Sequence, residues 1–166
     1  MDYYKLMSKD IIEQQLLYKH IDFVMNQSRL LSKGKINHVT FDLVRNEMMN
    51  YFKDLFEEDE YIKIIFSVGY INPYKRLRLT KYFSKYEHFK FNIFNNELSE
   101  TCHQYEFVIH KRDLKADKLF KDISYQDFAY ESQTYRKASI YTVITNIAED
   151  KFYYPYDDRG AVIFKK

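Results

Sequence analysis

The sequence of 166 residues is poor in cysteine, which can cross-link a chain, and in proline and glycine, which interrupt helices and strands. It contains one cysteine (Cys102), two prolines, three glycines and no tryptophan. A single thiol excludes an internal disulfide, so a small secreted domain held together by cystines is not expected. No repeat and no linker rich in Pro, Gly or Ser divides the chain, and this length predicts one domain over residues 1–166.

Long apolar runs and an excess of charge of one sign are also missing. No stretch approaches the roughly 20 apolar residues that a membrane-spanning helix needs, so no membrane partner is expected. No basic segment leads into an apolar one near Met1, so a signal peptide is not expected and the cytoplasm is the expected compartment. Lys and Arg total 26 against 24 Asp and Glu, and the net charge of +2 is a weak footprint for nucleic acid.

Aromatic residues, in contrast, are abundant. They make up 19% of the chain, with 17 Tyr and 14 Phe, which excludes a disordered protein. Phe and Tyr bury large areas, and the Tyr hydroxyl can still bond to a partner, so a Tyr-rich surface is typical of protein-binding sites. The scarcity of Ala and Gly beside abundant Lys, Asn and Ile is also what AT-rich codons produce, and composition therefore leaves both explanations open.

Two N-terminal segments have the three-to-four-residue periodicity of amphipathic helices. The first helix is predicted over Ser8–Lys33, with Ser8 as its cap and Gly34 as its stop. The second is predicted from about Thr40 to Phe56, with Thr40 as its cap. Together they make up a helical part over residues 8–56.

From residue 61 onward the pattern changes to the alternation that is typical of strands. Tyr61–Val68 has apolar residues on both faces, which predicts a central strand. The later predicted elements are a short helix over Tyr74–His88, a strand over Phe89–Phe94, a loop over Asn95–Thr101, a strand over Tyr105–His110, a helix from Asp113 to about Ile123, and a hairpin of Ser139–Asn146 with Lys151–Tyr156. This order predicts an α+β fold, in which two N-terminal helices pack on an antiparallel or mixed sheet (residues 61–164) that ends in a C-terminal hairpin.

A distinctive motif lies near the end of the chain. A strand is followed by Tyr-Asp-Asp-Arg-Gly at 156–160 and then by an apolar strand that contains Val162 and Ile163. Upstream stand the basic run 75–79 and the tripeptide Gln-Asp-Phe at 126–128. Over residues 40–164 these features resemble the bacterial family called domain of unknown function 3885. The resemblance implies the α+β fold and a bacterial origin, and it implies no activity because the family has none assigned.

The acidic motif itself has two interpretations. In a structural turn, Asp157 and Asp158 bond to their own backbone, Gly160 supplies a positive φ at low cost, and Arg159 pairs with a carboxylate. In a binding site, the same residues together with Tyr156 would hold a metal ion or a phosphate. Two adjacent carboxylates supply few of the oxygens that a divalent cation needs, so the structural turn is favoured and no metal or cofactor is expected.

A basic, aromatic segment precedes the middle of the chain. Its candidate binding residues are Tyr74, Arg76, Arg78, Lys81, Tyr82 and Lys85. Cations beside aromatic rings are what a single-stranded nucleic acid requires, and a helix over 75–86 would place the last four of these residues on one face. A solvated amphipathic helix explains the same residues and is favoured because the net charge is small.

The sequence contains no recognisable catalytic constellation. Cys102 and His103 are adjacent, so on an extended chain they point to opposite sides, and the five histidines show no ligand spacing. Phosphate loops, nucleophile elbows and dinucleotide fingerprints are absent. The favoured hypothesis is a bacterial protein-binding module, such as an immunity or inhibitor protein that occupies a toxin. The alternatives are a single-stranded nucleic-acid-binding protein or small nuclease that uses residues 74–86, and an enzyme built around Asp157–Arg159.

Overall fold

The computed structural model describes residues 17–24, 27–71, 77–95, 101–128 and 138–165. Their centre is one seven-stranded antiparallel sheet, which together with two helices confirms the α+β class. The strands are β1 Leu17–Asp22, β2 Tyr61–Ile71, β3 His88–Asn95, β4 Thr101–His110, β5 Ala138–Asn146, β6 Lys151–Pro155 and β7 Gly160–Lys165. Their order across the sheet is β1-β7-β6-β5-β2-β4-β3.

Two helices, α1 (His38–Leu55) and α2 (Ala116–Ser124), pack against each other and on one face of the sheet. Their inward side chains recur every three or four residues, as burial of one helix face requires. One apolar cluster joins both helices to β2: Val44, Met48, Phe52, Leu119, Phe120, Ile123, Ile62, Ile64 and Phe66. Among the described helices, none is long and apolar enough to cross a membrane.

The first predicted helix is wrong wherever the structure describes its range. Leu17–Asp22 forms the edge strand β1, in which Ile21 pairs with Ala161 of β7, and Ser32–Gly34 forms a single 3-10 turn. Residues 8–16 lie outside the described residues. The apolar spacing around Ile21 suits a helix and a strand equally, and pairing with β7, more than 130 positions away, decides for the strand. The helices therefore do not both precede the sheet, since α2 lies between β4 and β5.

The second predicted helix is confirmed, although its start is not where the cap was expected. Thr40 lies inside α1, and its hydroxyl donates a hydrogen bond to the carbonyl oxygen of Ser28 at 3.1 Å. The helix predicted from Asp113, with Asp113 as a possible cap, likewise begins later, because Asp113 lies in the 3-10 turn Lys111–Asp113 that precedes α2. A contact outside the helix at Thr40, and an intervening turn at Asp113, override the preference of these residues for the helix N-cap.

The strand predictions are confirmed more closely. β2 is central, with β5 on one side and β4 on the other, and consecutive residues Ile64 and Ile65 are both fully buried. β3, β4, β5 and β6 all overlap their predicted ranges. The hairpin between β5 and β6 is closed by Asn146, whose side-chain oxygen accepts the backbone N–H groups of Asp150 and Lys151 at 3.1 and 3.2 Å.

The face of the sheet opposite the helices carries a second apolar cluster. It consists of Ile65, Val143, Phe152, Val162 and Phe164. Tyr154 and Tyr156 pack against its margin. These two tyrosines adjoin residues 157–160 in the sequence, so this face of the sheet contributes to the surroundings of the acidic motif.

Candidate functional site

The acidic motif forms the tight corner between β6 and β7. Asp157 and Asp158 are only 2% and 4% exposed. Asp157 accepts the backbone N–H of Arg159 through Oδ1 and the Nε–H of Arg159 through Oδ2, each at 2.7 Å. Contact with Asp157 raises the pKa of Arg159, so its guanidinium remains charged. The corner therefore closes on itself, as a structural turn does.

The second carboxylate of the corner is bound by a residue that the sequence did not identify, Arg29. Its Nε donates to Asp158 Oδ2 and its Nη2 to the Asp158 carbonyl oxygen, both at 2.7 Å. The same guanidinium donates to the carbonyl oxygens of Phe23, Val24 and Gln27 at 3.0, 3.0 and 2.9 Å. All five donors of the guanidinium are thus engaged. No sequence signal pointed to Arg29, because its partner lies 129 positions away.

Burial raises the pKa of Asp158, while the hydrogen bond and charge of Arg29 partly offset that rise. With Asp157 bound to Arg159 and Asp158 bound to Arg29, the corner offers few uncommitted oxygens. Within the described ranges, no three His, Cys, Asp or Glu side chains converge to hold a metal ion. The corner can therefore hold the segment that contains Arg29 against the sheet. The side chains that a ligand could contact lie beside the corner.

Gly160 sits where the corner meets the edge strand. A Cβ atom at this position would collide with the backbone carbonyl oxygen of Ile21 and with the hydroxyl of Tyr156. The Tyr156 hydroxyl shares a hydrogen bond of 3.0 Å with Nε2 of His20, and Nδ1 of His20 lies 3.4 Å from Asp22. The positive φ predicted for Gly160 is wrong, and this close approach of backbone and ring accounts for glycine here instead. The same contacts connect β1 to the corner.

A cleft of about 420 Å³, which we name the corner cleft, opens beside these residues. Its lining consists of Gln126, Asp127, Ser139, Ile140, Tyr141, Tyr154, Tyr156, Asp157 and Arg159. The Asp127 side chain is 53% exposed and lies 3.5 Å from Nη2 of Arg159. The rings of Tyr154 and Tyr156 are 5.9 Å apart and inclined at 53°. Two carboxylates and one guanidinium give the described part of this lining a net negative charge.

The candidate residues of the basic, aromatic segment are not brought to one face. Tyr74 and Arg76 lie outside the described residues, and within the described part the helix expected over Tyr74–His88 is reduced to a 3-10 turn at Leu79–Tyr82. Because a 3-10 helix has three residues per turn, Leu79 and Tyr82 point the same way, and both are buried. The shared face predicted for Arg78, Lys81, Tyr82 and Lys85 is therefore wrong.

The charges of this segment are also partly neutralised. The Tyr82 hydroxyl donates to Asp122 at 2.7 Å, and Lys81 forms an ion pair with the same carboxylate. Lys85 pairs with Glu87 at 2.7 Å, which raises the pKa of Lys85. Arg78 is exposed and borders a second cleft.

This second cleft, which we name the aromatic cleft, has a volume of about 470 Å³. It is lined by Leu77, Arg78, Leu79, Thr80, Tyr86, Phe89, Tyr105 and Phe107. It shares no lining residue with the corner cleft. Arg78 and the residues Tyr156, Asp157 and Arg159 therefore line separate clefts.

An exposed apolar stripe continues from the aromatic cleft along β3. Phe89, Phe91 and Ile93 are 45%, 43% and 61% exposed, and they occupy alternate positions on one side of the strand. Phe89 pairs with Phe107, which pairs with Ile64, so the stripe lies on the same face as the helices but is not covered by them. In the part of the chain that is described, β3 has a neighbouring strand on one side only. Sequence alternation predicted the strand, but nothing in it predicted an uncovered edge.

Comparison with known proteins identifies a family and no individual relative. A family model described as domain of unknown function (DUF3885) matches residues 17–166. The match confirms the resemblance inferred from the acidic motif, and it extends to Arg29 and β1, upstream of residue 40. Comparisons with curated proteins and with solved structures each gave no match.

Proposed function

The chain belongs to the family of the domain of unknown function DUF3885, and we propose that it is a protein-binding module whose partner docks on β3. The observation that supports this proposal is the stripe of Phe89, Phe91 and Ile93 beside the aromatic cleft. Family membership carries no activity, so the proposal depends on this surface. An immunity or inhibitor protein acts in the same manner, by occupying its partner.

Two properties of the β3 surface favour a protein partner. Soluble proteins rarely expose contiguous apolar patches that have no binding role, and an uncovered apolar edge strand invites aggregation unless another chain pairs with it. Aromatic residues and arginine are enriched at protein interfaces, and Tyr86, Phe89 and Arg78 all border the aromatic cleft. The surface thus combines an apolar centre with a charged margin.

The mode of binding that suits this surface is addition of a strand. An extended segment of the partner would pair with the backbone of β3, and its alternate side chains would meet Phe91 and Ile93 or enter the aromatic cleft. The eight residues of β3 are long enough for such pairing, since strands commonly have five or six residues.

Site-specific photocrosslinking in the native host tests this proposal. A benzoylphenylalanine placed at Phe91 should give one discrete crosslinked protein, because the ring there is exposed at the proposed interface. The same group at Val39, which is 68% exposed on α1, is the matched control and should give none. Ile93→Lys, combined with benzoylphenylalanine at position 91, should abolish the product, because the lysine would place a charge against the docked strand. A product of equal yield at both positions, or no discrete product at Phe91, would refute strand addition at β3.

Single-stranded nucleic acid is a second candidate, and one observation favours it. The rings of Tyr86 and Phe89 are exposed beside Arg78 at the aromatic cleft, which is the combination of stacking surfaces and a cation that such ligands use. Binding of a fluorescent single-stranded oligonucleotide should then weaken with salt, and Arg78→Ala should reduce the salt slope. Binding unaffected by this change would exclude this surface.

A further inference from the structure

We propose that the corner cleft binds a guanidinium group, the side chain of an arginine presented by another protein. The cleft is separate from β3 and from the aromatic cleft, so this inference goes beyond strand addition and stands or fails independently of it. Three features of the lining support it, namely its charge, its aromatic rings and its acceptor atoms.

The charge of the cleft favours a cation. Among the described residues of the lining Arg159 is the single cation, and its Nε and Nη2 already bond to the carboxylate of Asp157. Asp127 contributes a second carboxylate, which is 53% exposed and approaches Arg159 only to 3.5 Å. A carboxylate has about four lone-pair positions, so Asp127 can accept two parallel N–H donors from a planar guanidinium. An anion would meet the net negative charge of this lining and be repelled.

The rings of the cleft favour a planar cation in particular. Tyr141, Tyr154 and Tyr156 all contribute to the lining, and the last two are inclined at 53° with centroids 5.9 Å apart. Guanidinium stacks on aromatic faces and is more weakly hydrated than an ammonium group, so it loses less on leaving water. Tyrosine walls beside a carboxylate therefore select arginine over lysine.

A neutral acceptor completes the lining. The side-chain NH₂ of Gln126 donates to the carbonyl oxygen of Tyr156. This bond fixes the orientation of the amide, whose oxygen can accept a hydrogen bond from a ligand. A guanidinium has five N–H donors, more than one carboxylate can satisfy. The Gln126 oxygen and the Ser139 hydroxyl, which also line the cleft, provide further acceptors.

The test is a chemical-shift titration of the full chain with N-acetyl-arginine amide. N-acetyl-citrulline amide, which has the same shape but no charge, is the matched probe. We expect saturable binding of the arginine probe, with binding of the citrulline probe weaker by about tenfold or more because a charge-assisted hydrogen bond is about twice as strong as a neutral one. Tyr154→Leu should weaken arginine binding by roughly two- to fivefold. Asp127→Asn should weaken it by a similar factor.

The controls use exposed residues of the same types outside the cleft. Tyr61→Leu on β2 and Asp54→Asn on α1 should leave the dissociation constant unchanged. Thermal unfolding of each variant shows whether it folds. If Tyr154→Leu does not fold, Asp127→Asn and the comparison of the two probes decide. Equal affinity for the arginine and citrulline probes, no saturable binding by the unmodified chain, or equal losses in the control variants would overturn the proposal.

Discussion

Arg29 and Asp158 are joined by two hydrogen bonds of 2.7 Å across 129 positions of the sequence. One of these bonds goes to the side-chain carboxylate and the other to the backbone carbonyl oxygen. The remaining donors of Arg29 bind carbonyl oxygens of residues 23–27. The segment after β1 and the corner before β7 are therefore one hydrogen-bonded unit, to which the backbone N–H of Phe23 also contributes by donating to the Arg159 carbonyl oxygen at 2.8 Å.

Replacing Arg29 by Lys should destabilise the protein strongly. A lysine retains the charge but has a single ammonium group, which cannot donate along the same five directions, so several partly buried carbonyl oxygens would lose their partners. We expect the free energy of unfolding to fall by about 2–4 kcal/mol, measured by urea denaturation.

Arg112→Lys is the matched control for that change, because Arg112 is exposed in the turn before α2. It should alter the free energy of unfolding by less than about 0.5 kcal/mol. Equal effects of the two substitutions would show that the Arg29 network does not stabilise the fold.

Gly160→Ala should also be strongly destabilising, for a steric reason. The new Cβ would collide with the carbonyl oxygen of Ile21, which is backbone and cannot move without shifting β1. We expect a loss of more than about 2 kcal/mol in the free energy of unfolding, with the earliest loss of amide protection in β1. At Gly69 the nearest atom to an added Cβ is Ser139 Cβ at 3.9 Å, so Gly69→Ala should change stability by less than about 1 kcal/mol. Similar losses in both variants would refute the steric explanation.

The predictable part of this fold is the part in which local pattern and tertiary packing agree. β2 was identified because apolar residues on both faces suit a central strand, and α1 because Val44, Met48 and Phe52 recur at helical spacing. β1 was missed because the spacing around Ile21 permits two periods, and only pairing with β7 selects between them. Short-range pattern contains no information about such a distant partner.

The same distinction applies to the candidate sites. The corner at 157–160 was identified from its own residues, since Asp and Gly in a turn act locally. Arg29 was missed because its importance arises entirely from distant acceptors. Tyr82 was misassigned because a helix would have exposed it, whereas the 3-10 turn directs it into the core. Among the described strands β3 lies at an edge of the sheet. This position depends on strand order, which a short stretch of sequence does not determine.

The Asp158 carboxyl should make stability depend on pH with a definite sign. Burial raises its pKa in the folded state, so the folded state holds this proton more tightly than the unfolded state does. The stabilising contribution is complete below the unfolded pKa and is lost as the pH rises through the folded pKa. Asp158→Asn cannot titrate, so the stability of the unmodified protein relative to this variant should fall as the pH rises from about 4.

Urea denaturation at several pH values between about 4 and 7 measures this difference. Asp54→Asn, a change on the exposed side of α1, serves as the reference for pH effects shared by the whole protein. A difference that grows with rising pH would show that the Arg29 contact outweighs burial in setting the protonation of Asp158.

Substitutions at Tyr82 distinguish a structural role from a ligand-binding role for the basic, aromatic segment at residues 74–86. Tyr82→Phe removes the hydroxyl that donates to Asp122 and keeps the buried ring, so it should cost about 1 kcal/mol in the free energy of unfolding. Tyr82→Ala also leaves a cavity in the core and should cost about 3–5 kcal/mol. The nearby Tyr86 is 46% exposed, so Tyr86→Ala should cost less than about 1 kcal/mol. In the oligonucleotide titration, Tyr86→Ala should weaken binding more than Tyr82→Phe or Tyr82→Ala does. The Tyr86 ring is exposed and can stack on a base, whereas the Tyr82 ring is buried. A loss of oligonucleotide affinity in Tyr82→Phe with normal stability would contradict the buried position of this ring.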